Sequence, residues 1–167
     1  MNNFLLRFIG DPVLRMQAAP VREINNDVRA LLDIMEKIMC TESGAGLAAP
    51  QVGVLARMLV FVEERGGEVF KAINPKIISR SENTVFINEG CLSIQGADGP
   101  VFTDVERPES VVVEWTNENG ELVTKEFGGF ASRVIQHEMD HLDGTLFIDH
   151  LSSVKREMIM RKVKKRK

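Results

Sequence analysis

Cysteine and long apolar runs are scarce in this sequence of 167 residues. The two cysteines, Cys40 and Cys91, are too few for a disulfide framework and indicate a reducing compartment. No apolar run approaches the ~18 residues of a membrane span. The apolar patch near the start is interrupted by Arg7 and has no small-residue cleavage site. We therefore expect no membrane partner, no export signal and a cytoplasmic location.

A strong excess of one charge is also missing. The 21 Lys and Arg against 24 Asp and Glu give a net charge of −3, which argues against a surface that binds nucleic acid throughout, and we expect no DNA partner. Residues 155–167 carry eight Lys or Arg and one Glu, a local charge of +7, which leaves about −10 on the rest. The composition of this basic tail, residues 152–167, suits binding to a polyanion. The alternative is that the tail is a solvated helix end that frays.

Length and composition are those of one globular domain. The mass is 18.7 kDa, with 44% hydrophobic and 27% charged residues. A domain of this size buries roughly 70% of the surface of its unfolded chain and needs no cross-links to fold. We predict a single domain over residues 1–167.

The first part of the chain contains one clear amphipathic helix. Asp11-Pro12 is typical of an N-cap followed by proline and predicts a short helical turn. From about Asn26, apolar residues recur at helical spacing, and Gly44 lies just past a plausible end. The residues of this stripe are Val28, Leu31, Leu32, Met35, Ile38 and Met39.

Antiparallel strands are predicted in the middle of the chain. Residues 57–62 and 69–73 flank Gly66-Gly67, and residues 110–115 and 121–125 flank Asn119-Gly120, so both pairs predict hairpins. Helical spacing returns from 130 to 144, and a last helix is expected from 152 to about 164. Such segregated elements predict an α+β fold, with antiparallel strands wrapped around a central helix and with an N-terminal and a C-terminal helix.

The central helix contains His137-Glu138-Met139-Asp140-His141, an HExxH sequence. Positions i and i+4 share one helix face, so both imidazoles can point at one metal ion. Glu138 lies close enough to reach a water on that ion without being a ligand. The pattern alone is equally consistent with two solvated or capped histidines, so a third ligand has to decide.

Catalytic zinc-type sites use three protein donors and keep one position open. The metzincin pattern would place a third histidine where this chain has Phe147. A thermolysin-like site would need a downstream carboxylate, and Glu157 is available, but in the basic tail an ion pair on a solvated helix face is its more natural role. Neither protease pattern is complete.

A cysteine thiolate is the other strong donor for a divalent transition metal. Cys40 follows the apolar stripe of the first helix, and we expect it to be an inert thiol buried in the core. Cys91 lies between Gly90 and Ser93 in a polar segment, which favours a ligand over a core thiol. A Cys40–Cys91 disulfide is a further alternative, which a reducing compartment disfavours.

A loop of small residues completes the set of motifs. In Gly44-Ala45-Gly46-Leu47-Ala48-Ala49-Pro50-Gln51, the glycines allow close approach of the backbone and Gln51 carries an amide donor. This loop, Glu89-Gly90-Cys91-Leu92-Ser93 and Gln136-His137-Glu138-x-x-His141 resemble the three signature motifs of peptide deformylases, in the same order. The resemblance extends over most of the chain, including Asp11-Pro12 and Leu146-Phe147-Ile148-Asp149.

The resemblance implies a metal-dependent hydrolase that removes the formyl group from the N-terminal methionine of new polypeptides and releases formate. It implies that Cys91, His137 and His141 hold the metal, with water in the fourth place. Glu138 would take the proton of that water and hand it to the departing amine.

Further roles follow from the resemblance alone. The Gln51 side chain and the Leu92 backbone N–H would donate hydrogen bonds to the oxyanion, and the Gly46 backbone would pair with the peptide. Core packing is the alternative for three of the pocket residues, Ile87, Phe130 and Val134. The residues expected to line the methionine pocket are Ala45, Ile87, Phe130, Val134 and His137.

The resemblance also bears on cofactor, partners and location. Two histidines and one cysteine suit zinc, iron, nickel or cobalt, and the family implies Fe²⁺. The expected partners are N-formyl-methionyl nascent peptides, with ribosome contact through the basic tail. The location would be the bacterial cytoplasm, a bacterial-type organelle or the cytoplasm of an infected bacterium.

The chain departs from the family pattern after Ser93. Gln95 replaces the usual proline, residues 96–100 predict a longer and more flexible loop, and no arginine occurs before Arg107, so the outer peptide contacts differ. Another HExxH metallo-aminopeptidase, protease or amidase is one alternative function, although the third histidine is missing. A non-enzymatic module with a structural metal is another, but it would need four protein ligands.

Overall fold

The computed structural model describes residues 5–164. Within this range the helices are α1 (Asn26–Thr41), α2 (Gly129–Leu142) and α3 (Ser153–Lys164). Short 3-10 turns cover Pro12–Arg15, Ala49–Val52 and Phe147–His150. The predicted helices and the first turn are confirmed to within two residues. Residues 165–167 of the predicted basic tail lie outside the described residues.

Side-chain caps explain where the first elements begin. Asp11 Oδ1 accepts a hydrogen bond from the backbone N–H of Val13 at 3.0 Å, with Pro12 at the first helical position. Asn25 Oδ1 accepts from the backbone N–H of Val28 at 3.0 Å. Each cap satisfies a backbone donor that has no partner inside its own helix.

All strand pairings in the described sheets are antiparallel. The main sheet has five strands in the order β1-β2-β3-β8-β9, and β4 with β7 and β5 with β6 form two-stranded sheets. The strands are β1 (Gly46–Ala48), β2 (Met58–Val62), β3 (Val69–Arg80), β4 (Thr84–Glu89), β5 (Gln95–Gly96), β6 (Gly99–Pro100), β7 (Thr103–Pro108), β8 (Ser110–Thr116) and β9 (Leu122–Gly128).

Strand β2 shows how the layers are arranged, because both of its faces are buried. Leu59 and Phe61 belong to a hydrophobic cluster shared with α2. Met58, Val60 and Val62 belong to a second cluster shared with α1. Since side chains alternate along a strand, α2 covers one face of the main sheet and α1 covers the other. The predicted α+β fold with a central HExxH helix is confirmed.

A third hydrophobic cluster positions the segment after β4. Cys91 and Ile94 pack there against Val105 of β7, against Ile159 of α3 and against Phe147 of the last 3-10 turn. The β5–β6 hairpin contacts α3 and replaces the flexible loop expected over 96–100. None of the helices within residues 5–164 is long and apolar enough to span a lipid bilayer.

Candidate metal centre and cleft

Helix α2 carries two histidines on its buried face. The rings of His137 and His141 have centroids 5.1 Å apart and an interplanar angle of 72°. The His137 ring also stacks on Phe147 at 5.8 Å. The helix therefore holds both imidazoles side by side, as their spacing predicts.

Cys91 lies against the two histidines. Its Sγ is 3.3 Å from Nε2 of His141, and the ligand atoms of Cys91, His137 and His141 lie within 4.8 Å of one another. Burial raises the pKa of the Cys91 thiol, but the two histidines outweigh burial and lower it to about 5. The arrangement therefore favours a thiolate, the form that binds metals.

The other cysteine corrects an expectation from the sequence. Cys40 is exposed and free, so the prediction of a buried core thiol is wrong. The stripe of α1 buries Met39, and Cys40 lies about 100° further around the helix. Helical spacing, rather than proximity to apolar residues, decides which side chains are buried.

Glu89 orients His137. Its Oε2 lies 2.9 Å from His137 Nδ1, which leaves Nε2 for an ion. Arg107 holds the same carboxylate through Nε at 2.7 Å and Nη2 at 3.0 Å. Burial raises the pKa of Glu89, but the hydrogen bonds from His137 and Arg107 lower it to about 2. A charged acceptor of this kind fixes the orientation and tautomer of a ligating histidine.

Sequence reasoning assigned no role to Glu89 or Arg107. They are 18 residues apart, and Arg107 Nη1 also contacts Asp140 Oδ2 at 2.7 Å across 33 residues. The same oxygen of Asp140 lies 2.7 Å from His150 Nε2. Glu89 begins the motif that contains Cys91, which is the one sequence signal for it. Nothing local marks Arg107 as its partner.

Glu138 is a buried acid next to the histidines. Within residues 5–164, its Oε2 and Nδ1 of His141 are the buried side-chain polar atoms without a hydrogen-bond partner. Burial raises the pKa of Glu138 to about 7, although both histidines lower it. A buried carboxylate oxygen without a partner is unfavourable unless a polar group binds it. Its position therefore fits a water molecule or an ion between it and the histidines.

Gln51 places an amide donor beside Cys91. Its Oε1 accepts a hydrogen bond from the backbone N–H of Ala48 at 2.8 Å, which determines which way the amide points. Its Nε2 consequently lies 3.2 Å from Ser93 Oγ and 3.7 Å from Cys91 Sγ. The side chain is 1% exposed, so this orientation is held by the surrounding packing.

A cavity of about 450 Å³ opens beside these groups. Ile87 of β4 is not among the described residues that line it, although the neighbouring Asn88 and Glu89 are. His141 is buried and is not among these lining residues. The predicted site residues that line the cavity are Ala45, Gly46, Gln51, Cys91, Leu92, Phe130, Val134, His137 and Glu138.

The donor set fits a catalytic metal ion. One thiolate and two imidazoles form a group of three potential ligands, and the described residues add no fourth Cys, His, Asp or Glu to it. Structural zinc sites are normally closed by four protein ligands, whereas catalytic sites have three and an open position. The unpartnered oxygen of Glu138 agrees with a water in that open position.

Comparison with known proteins agrees with this geometry. The family model for polypeptide deformylase matches residues 5–157. The chain belongs to the polypeptide deformylase family. A peptide deformylase of Halothermothrix orenii is 44% identical over 154 residues, which cover 92% of this chain and 97% of that relative.

Solved structures of deformylases share the fold. The peptide deformylase of Ehrlichia chaffeensis in complex with actinonin has a TM-score of 0.90 and 36% identity, covering 100% of this chain and 99% of that chain. The peptide deformylase of Thermotoga maritima has a TM-score of 0.83 and 39% identity, and the match covers 89% of this chain and 97% of that chain. The prediction of a metal-dependent deformylase is confirmed, which decides against a protease, an aminopeptidase and a structural metal module.

Proposed function

We propose that this chain removes the N-formyl group of formyl-methionyl nascent peptides with Cys91, His137 and His141 as its metal ligands. The observation that carries the proposal is the meeting of these three donors beside a buried carboxylate without a partner, at the wall of a cavity. A metal with one open position next to a proton acceptor is an arrangement that can activate water for amide hydrolysis.

The side chains around the donors suit each step of the reaction. When bound, the ion would act as a Lewis acid and lower the pKa of a water in its open position. Glu138 would accept the proton of that water and return it to the departing amine nitrogen. The Nε2–H of Gln51 and the backbone N–H of Leu92 would donate hydrogen bonds to the formyl oxygen as it gains negative charge.

The substrate peptide would bind along strand β1. This strand is at the edge of the main sheet, and Gly46 at its start lines the cavity. An extended peptide can add to such an edge through backbone hydrogen bonds. Ala45, Phe130 and Val134 line the same cavity and would surround the methionine side chain. A formyl carbon carries only hydrogen, so a narrow site would exclude acetyl groups.

We expect Gly46→Ala to lower kcat/KM for a formyl-Met peptide by about 100-fold, because ~1 Å of misplacement can cost that much. A Cβ here would lie 2.7 Å from Cγ and Oε1 of Glu138 and 2.8 Å from Cγ1 of Val134. Gly128→Ala is the matched control, since its Cβ would meet no atom within 4 Å and its φ is −116°. Unchanged activity of Gly46→Ala would contradict the position of Glu138.

We propose Fe²⁺ as the native ion, with zinc, nickel or cobalt as ions that the same donors can hold. Anaerobically purified protein is expected to contain iron and to release formate from a formyl-Met peptide. Exposure to air should abolish this activity, and anaerobic Fe²⁺ should restore it. Iron-free protein with full, air-stable activity would argue against iron, and a lack of formate release with every metal would argue against the function.

The basic tail would contact ribosomal RNA. Ile159 of α3 is buried in the third cluster, so removing the whole helix would also disturb the core. We therefore expect Lys155→Gln with Lys162→Gln, both exposed, to weaken co-sedimentation with ribosomes at low salt. Lys37→Gln with Lys76→Gln removes the same charge elsewhere on the surface as a control. Equal co-sedimentation of both variants would indicate that α3 makes no such contact.

We propose a single domain over residues 1–167, supported by β2, which belongs to the cores on both faces of the main sheet. We also propose the bacterial cytoplasm, or a compartment derived from it, as the location. An exposed free thiol at Cys40 and a buried thiolate at Cys91 suit such a reducing environment.

A further inference from the structure

Two arginines lie at the mouth of the cavity. Arg133 Cζ is 4.9 Å from the ring centroid of Phe130, and Arg65 Cζ is 5.6 Å from the same centroid. Both arginines and Phe130 line the cavity. Arg133 is half-buried on α2, while Arg65 is exposed in the turn after β2. The two positive charges therefore converge on one aromatic side chain.

Neither guanidinium is neutralised within residues 5–164. Arg133 Nη1 donates to the backbone oxygen of Asn88 at 3.0 Å, and the described ion pairs include neither Arg65 nor Arg133. Burial lowers the pKa of Arg133, and the charge of Arg65 lowers it further, against the opposite effect of Glu89. A bound anion would relieve this repulsion between like charges.

The acids of the cavity do not cancel these charges. Glu89 is committed to Arg107 and His137, and Glu138 is buried beside the candidate ligands. Glu42 is the remaining acid of the lining, and it is exposed. Among the described residues that line the cavity, two uncommitted cations therefore face one uncommitted carboxylate.

The aromatic ring between the two guanidiniums indicates which part of a substrate they would meet. Phe130 lines the cavity with Ala45 and Val134, where the methionine side chain would lie. The guanidiniums of Arg133 and Arg65 lie 4.9 and 5.6 Å from the centre of this ring, at the edge of that pocket. An extended peptide advances about 3.5 Å per residue, so the residue that follows methionine would pass within reach of both long side chains.

We propose that Arg65 and Arg133 bind a carboxylate on the residue that follows formyl-methionine, so that this deformylase prefers an acidic second residue. The inference rests on the proposed function, because it assumes that the formyl group lies at the metal. Both guanidiniums can donate two hydrogen bonds to one carboxylate, a geometry that a lysine could not supply.

The test compares three peptides that differ only at the second residue: formyl-Met-Asp-Ala, formyl-Met-Asn-Ala and formyl-Met-Lys-Ala. The metal-loaded enzyme should show kcat/KM for the Asp peptide about five-fold above that for the Asn peptide at low salt, a modest ratio because the site is partly exposed. The Lys peptide should fall below both. High salt should reduce the Asp preference towards one, because it screens exposed charges.

Variants assign the preference to the two arginines. Arg133→Gln and Arg65→Gln should each lower the ratio of Asp to Asn towards one, through a higher KM for the Asp peptide. Because the ratio is taken within one variant, a loss of metal from part of the sample cancels. Arg80→Gln, which removes an exposed arginine of β3 outside the cavity, should keep the wild-type ratio.

The outcomes separate the two proposals. Hydrolysis of the Asn and Asp peptides at equal rates would overturn the acidic preference and leave deformylation intact. A preference that survives both arginine substitutions would also overturn it. A lack of formate release from the Asn peptide would instead contradict the proposed function.

Discussion

Glu138→Ala is expected to retain its metal and to lose about 100- to 10,000-fold in turnover, the range for removal of a general base. The ligand atoms belong to Cys91, His137 and His141, and Glu138 is outside this set. Its unpartnered Oε2 is the only described carboxylate oxygen that is buried and free beside the histidines. Metal content and formate release, measured on the same sample, check the expectation.

Two further variants control for altered packing as the cause of the lost turnover. Glu138→Gln preserves the volume of the side chain and removes its basicity, so it should lose turnover equally. Glu126→Ala removes an exposed carboxylate of β9 and should behave as wild type. Full deformylation by metal-loaded Glu138→Ala would refute Glu138 as the base.

Cys91→Ala is expected to lose the metal and, with it, all measurable deformylation. Loss of an outer-shell partner alone costs about 10- to 100-fold in metal affinity, so loss of one of three ligands should cost more. The fold should survive, since the change removes one buried atom from the third cluster, at a cost of about 1 kcal/mol. Metal analysis after dialysis, with circular dichroism for the fold, measures both.

Cys40→Ala is the matched control, because it removes the other thiol of the chain from an exposed position on α1. It should retain metal and activity. Full metal content in Cys91→Ala would mean that another residue completes the site. Loss of metal in both variants would point to a general sensitivity of the fold rather than to ligation.

Local patterns were sufficient where neighbours along the chain decide the structure. The stripe of α1 and the caps at Asp11 and Asn25 depend on contacts within one helical turn. The Asn119-Gly120 turn between β8 and β9 is equally local, with Gly120 at a φ of +87°. Such elements are predictable because their hydrogen bonds close over a few residues.

The shorter strands were not predicted from their own residues. β1 has only three residues, and β4 pairs with β7 through an alternation that leaves Phe86 exposed. Their place depends on partners that pack against them rather than on intrinsic preference. Cys40 is a different case, because helical spacing alone places it off the apolar stripe of α1 although it follows the buried Met39.

By itself, the sequence determined the chemistry that the chain can carry: two imidazoles on one helix face, an acid between them, and a family resemblance that selected Cys91 as the third donor. Only the tertiary structure brought Cys91 Sγ to 3.3 Å from His141. It also determined the orientation of the Gln51 amide and the Glu89–Arg107 pair behind His137. Helical periodicity is local, whereas these contacts join segments that meet only when the sheets pack around α2.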